Sequence, residues 1–313
     1  MRLATAHGSS AVGAAVAATG GLFVTAVVGA PVSVVLLPFV PLPGLLLGGR
    51  HGAGALAACV ALTTLVAAAL LGPGPALTYM LTIGGPTLAA AAALRRAWSV
   101  ERTVLLGAGA WSLAVAVLLL VTYGSPNLVL EGLRERLQES FDLAVSASGR
   151  FGMEPDAASD LLAMREPMLA GILGILPGVL VLAGGFTMLL NVLIVRSLLP
   201  WLQLADLRTW SVPAALIWGF IGAGFGMFAP LPEIALVARN AFVMLLGCYL
   251  CQGLAVISFF LAQFQVRRSL RVASYVLIAT QQVLLAVVLL LGIFDLWANF
   301  RRLGVILSNQ ADD

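Results

Sequence analysis

The sequence predicts an all-α integral membrane protein, a polytopic bundle of eight to nine transmembrane helices with one long external amphipathic loop. Three observations carry this prediction. Hydrophobic residues make up 61% of the chain and charged residues 10%, where an ordinary soluble domain has roughly a quarter charged. Mean hydropathy is +1.04. Between Ala11 and Leu94 the only charged side chain is Arg50, so helices in that stretch lack the polar face that water requires.

Nine apolar runs follow in order: 11–29, 31–47, 53–71, 76–94, 103–123, 168–194, 213–229, 240–264 and 272–293. A helix rises about 1.5 Å per residue, so about twenty residues cover the hydrocarbon, and the second and seventh runs fall slightly short. The first run follows Arg2 and precedes Val28-Gly29-Ala30, as a signal peptide would, but its length and equally apolar continuation favour a retained span. Pro38, Pro41 and Pro43 remove backbone donors from the second run and predict a broken or re-entrant segment. The chain reads as a single membrane domain, 1–313, with five spans in 1–123, the external loop in 124–167 and four spans in 168–313.

In the loop, Leu130, Leu133, Leu137 and Phe141 recur every three or four residues, while Glu131, Arg134, Glu135, Arg136, Glu139 and Asp142 take the other face. This is an amphipathic helix, read either as a surface-lying element over the bundle or as a solvated connector. Residues 155–165 read as a shorter second helix.

With nine spans, Arg2, Arg50, Arg95, Arg96, Arg102, Arg196, Arg208, Arg267, Arg268 and Arg271 share one side, which the positive-inside rule makes cytoplasmic, N-terminus included. Arg301 and Arg302 then fall on the opposite side, which keeps eight spans open. All 17 basic residues are arginine, and Ala and Gly abound, as in a GC-rich bacterial genome; the expected location is a bacterial cytoplasmic membrane.

Catalytic chemistry is poorly provided for. His7 and His51 are the only histidines, no hydrolase, zincin or phosphate-loop motif occurs, and none of the nine runs contains Asp or Glu. The reading is a non-enzyme without cofactor or metal. A formal charge of +3 without a basic block excludes a nucleic-acid partner. Cys59, Cys248 and Cys251 sit in apolar runs as packing residues.

The candidate substrate-binding residues are uncharged. Gln252 stands midway along the eighth run and Gln281 and Gln282 midway along the ninth, at similar depth if both are continuous helices, so they are expected to meet; Tyr249 shares the Gln252 face. Asn191 and Asn240 are weaker cases, explained also by caps and helix contacts. The glutamines are either interhelical glue or the lining of a polar site. Asp295, followed by Trp297, Asn299, Arg301 and Arg302, reads as an interfacial anchor. Small residues four apart, such as Gly44 and Gly48, Gly174 and Gly178, and Gly222 and Gly226, permit close helix approach.

Three stretches carry a family resemblance: Asp206-Leu207-Arg208-Thr209-Trp210-Ser211-Val212-Pro213; Asn240 through Gln252-Gly253-Leu254-Ala255-Val256; and Gly292 through Asp295 and Trp297 to Phe300-Arg301-Arg302. From about Trp201 onward the chain resembles the YybS-like family of bacterial multi-pass membrane proteins, which implies a membrane bundle of unassigned activity marked by Asp206, Arg208, Trp210, Pro213, Gly253, Asp295 and Arg301. That family is in turn similar to the substrate-binding subunits of energy-coupling-factor vitamin transporters. By that similarity, a small-residue ridge of Ala11, Ala15 and Ala18 would meet a membrane partner subunit. The expected function is small-solute binding or transport, as a carrier or a transporter's recognition subunit. The alternative is a scaffold for envelope assembly that docks through its external loop.

Overall fold

The computed structural model describes residues 2–29, 33, 35–150, 160–202 and 206–302. The opening of the second apolar run at Pro31 and residues 155–159 of the expected helix at 155–165 lie outside them, while 160–163 are helical. All regular structure among the described residues is helical. The helices are α1 Arg2–Val28, α2 Pro41–His51, α3 Ala53–Leu71, α4 Pro73–Tyr79, α5 Gly85–Arg95, α6 Val100–Tyr123, α7 Pro126–Arg150, α8 Arg165–Leu198, α9 Leu216–Gly226, α10 Pro232–Gln263, α11 Arg268–Thr280 and α12 Gln282–Ala298.

Six of these elements are long and apolar enough to cross a bilayer: Ser9–Val28 of α1, α3, Pro73–Arg95, α6, α8 and α10. The pair α11 and α12, bent by 102°, adds a seventh if taken as one span. The exposed surface agrees with a lipid solvent. Leu65, Leu105, Trp218, Phe225 and Phe228 are all more than 60% exposed on it, an arrangement that would aggregate in water.

Local chemistry explains where the structure departs from nine continuous spans. The second run is a 3₁₀ turn at Leu37–Phe39 leading into α2, which at 11 residues is too short to cross alone. Pro41 and Pro43 supply no donors for the preceding carbonyls, so the backbone breaks where the sequence predicts. The seventh run yields only the 11-residue α9. An irregular entry around Pro213 precedes it, and Pro230 and Pro232 follow it. The fourth run is interrupted by a π turn, Met80–Gly84, just before Pro86. Gly84 lets the turn close on α3, since a Cβ there would stand 2.6 Å from Val60 Cγ1. The ninth run is a correction: it is not one helix but breaks at Gln281, whose backbone is extended (φ −111, ψ 110). A continuous helix would hold both glutamine amides in hydrocarbon, whereas the break leaves Gln281 and Gln282 exposed.

Contacts divide the chain into two units, Met1–Leu173 with Leu180–Ala205, and Gly174–Val179 with Asp206–Asp313. In the first, Ala15, Leu47 and Cys59 form a core against which Ala11, Val12, Val16 and Ala55 pack. Ser99 caps α6 by accepting from the Arg102 N–H at 3.4 Å. The amphipathic α7 spans the predicted periodicity. Leu133, Leu137 and Phe141 are half-buried, and Tyr123 lies over Gly132. Arg134 pairs with Glu166, Gln138 donates to Glu166 at 3.2 Å, and Arg165 pairs with Asp142 at 3.3 Å, which fastens α7 to the start of α8.

In the second unit, α10 and α12 run antiparallel at very close approach. A Cβ on Gly253 would overlap the Val288 carbonyl, and one on Gly292 would overlap that of Tyr249. Two residues without side chains therefore allow backbone to touch backbone, the most intimate of the small-residue contacts in this unit.

Candidate functional site

Three of the amides singled out in the sequence, Asn191, Asn240 and Gln252, reach from their helices to irregular backbone. Pro177 lies inside α8 and disrupts its hydrogen bonding. Asn240 on α10 reaches that place. Its Oδ1 accepts from the Gly178 N–H at 2.6 Å, and its Nδ2 donates to the Gly174 carbonyl at 2.8 Å and to Leu236 O at 2.8 Å. One side chain thus supplies both halves of the rung that Gly174 and Gly178 would otherwise share. Asn191, fully buried in the first unit, donates from Nδ2 to Pro38 O and to Thr187 O, each at 2.7 Å. It thereby serves the proline-broken second run, while its Oδ1 stays unpartnered.

Gln252 is 1% exposed on α10 and engaged at both ends. Its Oε1 accepts from the Val212 N–H at 2.9 Å, and its Nε2 donates to Asp295 Oδ2 at 3.1 Å. Asp295 is not an interfacial anchor, which corrects the sequence reading. Helix α12 runs on to Ala298, so Asp295 lies within it at 5% exposure. Its Oδ1 accepts from the Phe300 N–H at 3.0 Å, and its Oδ2 takes the Arg301 guanidinium at 2.9 Å. Arg301 also donates to the carbonyls of Arg208 and Trp210, at 3.0 and 2.9 Å. Asp206, in turn, accepts from the Arg208 side chain at 2.7 Å, and this hydrogen bond together with its charge raises the guanidinium pKa above its ordinary value.

The three stretches that carry the family resemblance therefore converge on one buried polar cluster. Asp206, Arg208 and Trp210 bring the entry to α9, Gln252 and Gly253 bring α10, and Asp295 and Arg301 bring the end of α12. Pro213 follows Val212 and is exposed, starting the turn into α9. In this cluster the carboxylate is neutralised, the guanidinium is satisfied and the amide is used twice, so it acts chemically as a lock.

Gln281 and Gln282 do not join it. They stand at the opposite end of α12 from Asp295, about 20 Å away at the helical rise. Tyr249 does lie beside the cluster. It is fully buried, its ring meets Phe220 edge-on at 5.4 Å, and its hydroxyl has no partner.

A second group of buried polar atoms, in the first unit, was missed from sequence. Thr19 on α1 and Thr63 on α3 are 2% and 0% exposed, and their hydroxyls have no hydrogen-bond partner. The Cys59 thiol lies within side-chain interaction range of both, and the Tyr79 phenol within that of Thr63. Tyr79 itself is 2% exposed, packs on Phe23 at 5.2 Å and immediately precedes the π turn. Threonines in apolar helices commonly bond their own chain four residues back, as Thr64 and Thr87 do here, and such residues leave no functional trace in a sequence. Only the neighbourhood of Tyr79, flanked by Pro73, Pro75 and Pro86, could have drawn attention.

The alanine ridge of α1 divides. Ala15 is buried and Ala11 partly buried against Leu47 and Cys59 in the chain's own core, whereas Ala18 is exposed. Among the described residues no group of three or more His, Cys, Asp or Glu could hold a metal ion.

Residues 16–296 match the family described as "Predicted membrane protein (DUF2232)". The chain belongs to that family and is an integral multi-pass membrane protein. No curated protein and no solved structure matches it.

Proposed function

We propose that this family member binds a small polar solute within its N-terminal unit, as a carrier or as the recognition subunit of a transporter in a bacterial cytoplasmic membrane. The unpartnered hydroxyls of Thr19 and Thr63 carry the reading. A buried polar group without a strong partner costs about 1–3 kcal/mol, and these two hydroxyls, both beside the Cys59 thiol, offer a solute polar atoms to bond inside an apolar bundle. Cys59 and Tyr79 complete the lining, and the adjacent π turn supplies the irregular backbone that often accompanies functional positions in helices. In this reading Gln252, Asn191 and Asn240 brace the chain where its backbone is irregular, and Tyr249 keeps a buried hydroxyl without a partner.

Native mass spectrometry of the full chain, released from mild detergent, tests this. The wild type is expected to carry a co-purifying small molecule that Thr63→Val loses, with Thr19→Val reducing its occupancy, while both variants stay folded. If the site holds nothing, Thr63→Val removes an unsatisfied hydroxyl and raises stability by about 1–3 kcal/mol with no change in mass, which sinks the proposal.

A scaffold reading is favoured by Leu128, Leu130 and Leu143, exposed at 50%, 56% and 69% on α7. Deleting 128–148 separates the two. A scaffold loses its crosslinked partners, whereas a solute-binding protein keeps its bound molecule.

A further inference from the structure

Helix α11 is built backwards for water. Leu270, Val272, Val276 and Leu277 are 58%, 55%, 56% and 53% exposed, whereas Arg271, Ser274, Tyr275 and Ile278 make up its less exposed face. The Ser274 and Thr280 hydroxyls donate to carbonyls of their own helix, Leu270 O at 2.9 Å and Val276 O at 3.0 Å, so neither demands solvent. Arg271 reaches back to Leu261 O and Val266 O, both at 3.3 Å, adding a donor to the Leu261 carbonyl that also accepts from the Val266 N–H at 3.0 Å. Arg267 and Arg268 are exposed and carry no ion pair among the described residues.

Register places this helix at a membrane face. Gly253 lies against Val288 in the antiparallel pair of α10 and α12. From there α10 runs about 15 Å further to Gln263, and α12 runs back about 9 Å to Gln282, so the two ends fall within roughly one helical turn of each other. The segment between them leaves the pair where α10 ends, and α11 makes an angle of 102° with α12. If α12 crosses the bilayer, α11 lies in its plane.

We propose that α11 is a membrane-surface helix, its Leu270, Val272, Val276 and Leu277 face sunk into the headgroup–acyl boundary and Arg267 and Arg268 seated on the phosphates of anionic lipids. An apolar outward face flanked by two free arginines matches that boundary and no aqueous surface.

The test uses the full chain, with Cys59, Cys248 and Cys251 replaced by alanine and its folding checked against wild type by thermal unfolding. It is reconstituted in vesicles of phosphatidylethanolamine and phosphatidylglycerol. A fluorophore is placed by Leu270→Cys or Leu277→Cys and quenched with lipids brominated at known depths. The two labels are expected at the same shallow depth, within about 3 Å, although the seven helical steps from one to the other cover about 10 Å along the helix axis. Brominated phosphatidylglycerol should quench at least twofold better than brominated phosphatidylcholine, and Arg267→Gln with Arg268→Gln should abolish that preference. A depth difference near 10 Å, meaning a spanning helix, or no lipid quenching at either position, overturns the in-plane placement. Equal quenching by the two lipids in the parent protein overturns the anionic-lipid assignment. Should the cysteine-free chain fail to fold, a fluorescent amino acid inserted at positions 270 and 277 gives the same readout with the native cysteines in place.

Discussion

Replacing Arg301 by methionine isolates the energetic core of the polar cluster. The Asp295 side chain is 2% exposed and that of Arg301 15%, so neither charge has much water to fall back on. Methionine keeps most of the aliphatic bulk but leaves the carboxylate with Gln252 and the Phe300 N–H as its remaining donors. It also strips a donor from the carbonyls of Arg208 and Trp210. Breaking one side of a buried ion pair costs about 3–5 kcal/mol, because the surviving charge stays buried without its counter-ion. Removing both charges, as Asp295→Asn with Arg301→Met, costs much less, and the coupling between the two sites is expected to be about 2 kcal/mol or more. Unfolding in mixed micelles with a denaturing detergent, followed by tryptophan emission, measures all four corners of the cycle. Arg301→Met within about 1 kcal/mol of wild type, or two single-site costs that simply add, would refute the view that this cluster locks the entry of α9 to the end of α12.

The backbone contact between α10 and α12 makes its own forecast: Gly253→Ala and Gly292→Ala each force backbone apart and destabilise by about 3 kcal/mol or more, while Gly222→Ala, with nothing within 4 Å of its Cβ, is neutral or slightly stabilising in the same unfolding assay. Asn240→Leu leaves the Gly178 N–H and the Gly174 carbonyl without their side-chain partner and costs about 1–3 kcal/mol. In the Pro177→Ala background, where α8 can close its own ladder, the same substitution should cost less than half as much; an undiminished cost would mean that Asn240 does not answer to the proline.

That the chain crosses a membrane several times was legible because lipid imposes a composition on whole stretches, and composition survives any detail of packing. The break in the second run belongs with it, since its prolines announce the loss of donors, whereas the π turn in the fourth run was not foreseen. What could not be read was which amide meets which. Counting depth from the Arg268 loop placed Gln252 level with Gln281 and Gln282, and it failed because the count assumed an unbroken ninth helix. The break at Gln281 turns α11 by 102° away from the line of α12. The register that does hold is set by Gly253 and Gly292, the pair where backbones touch. With those two opposed, Gln252 faces the turn of α12 that holds Asp295, and the amide finds a carboxylate 43 residues away. The same geometry bears on counting loop arginines, in a structure with six candidate spans among the described residues, or seven with the bent pair. Arg301 is committed to Asp295 and to two backbone carbonyls, so its position is dictated by the fold and it carries no weight in a count of loop charges. A charge rule presumes that arginines are free to choose water, and one that has been taken into the interior as a structural cation falls outside its reach.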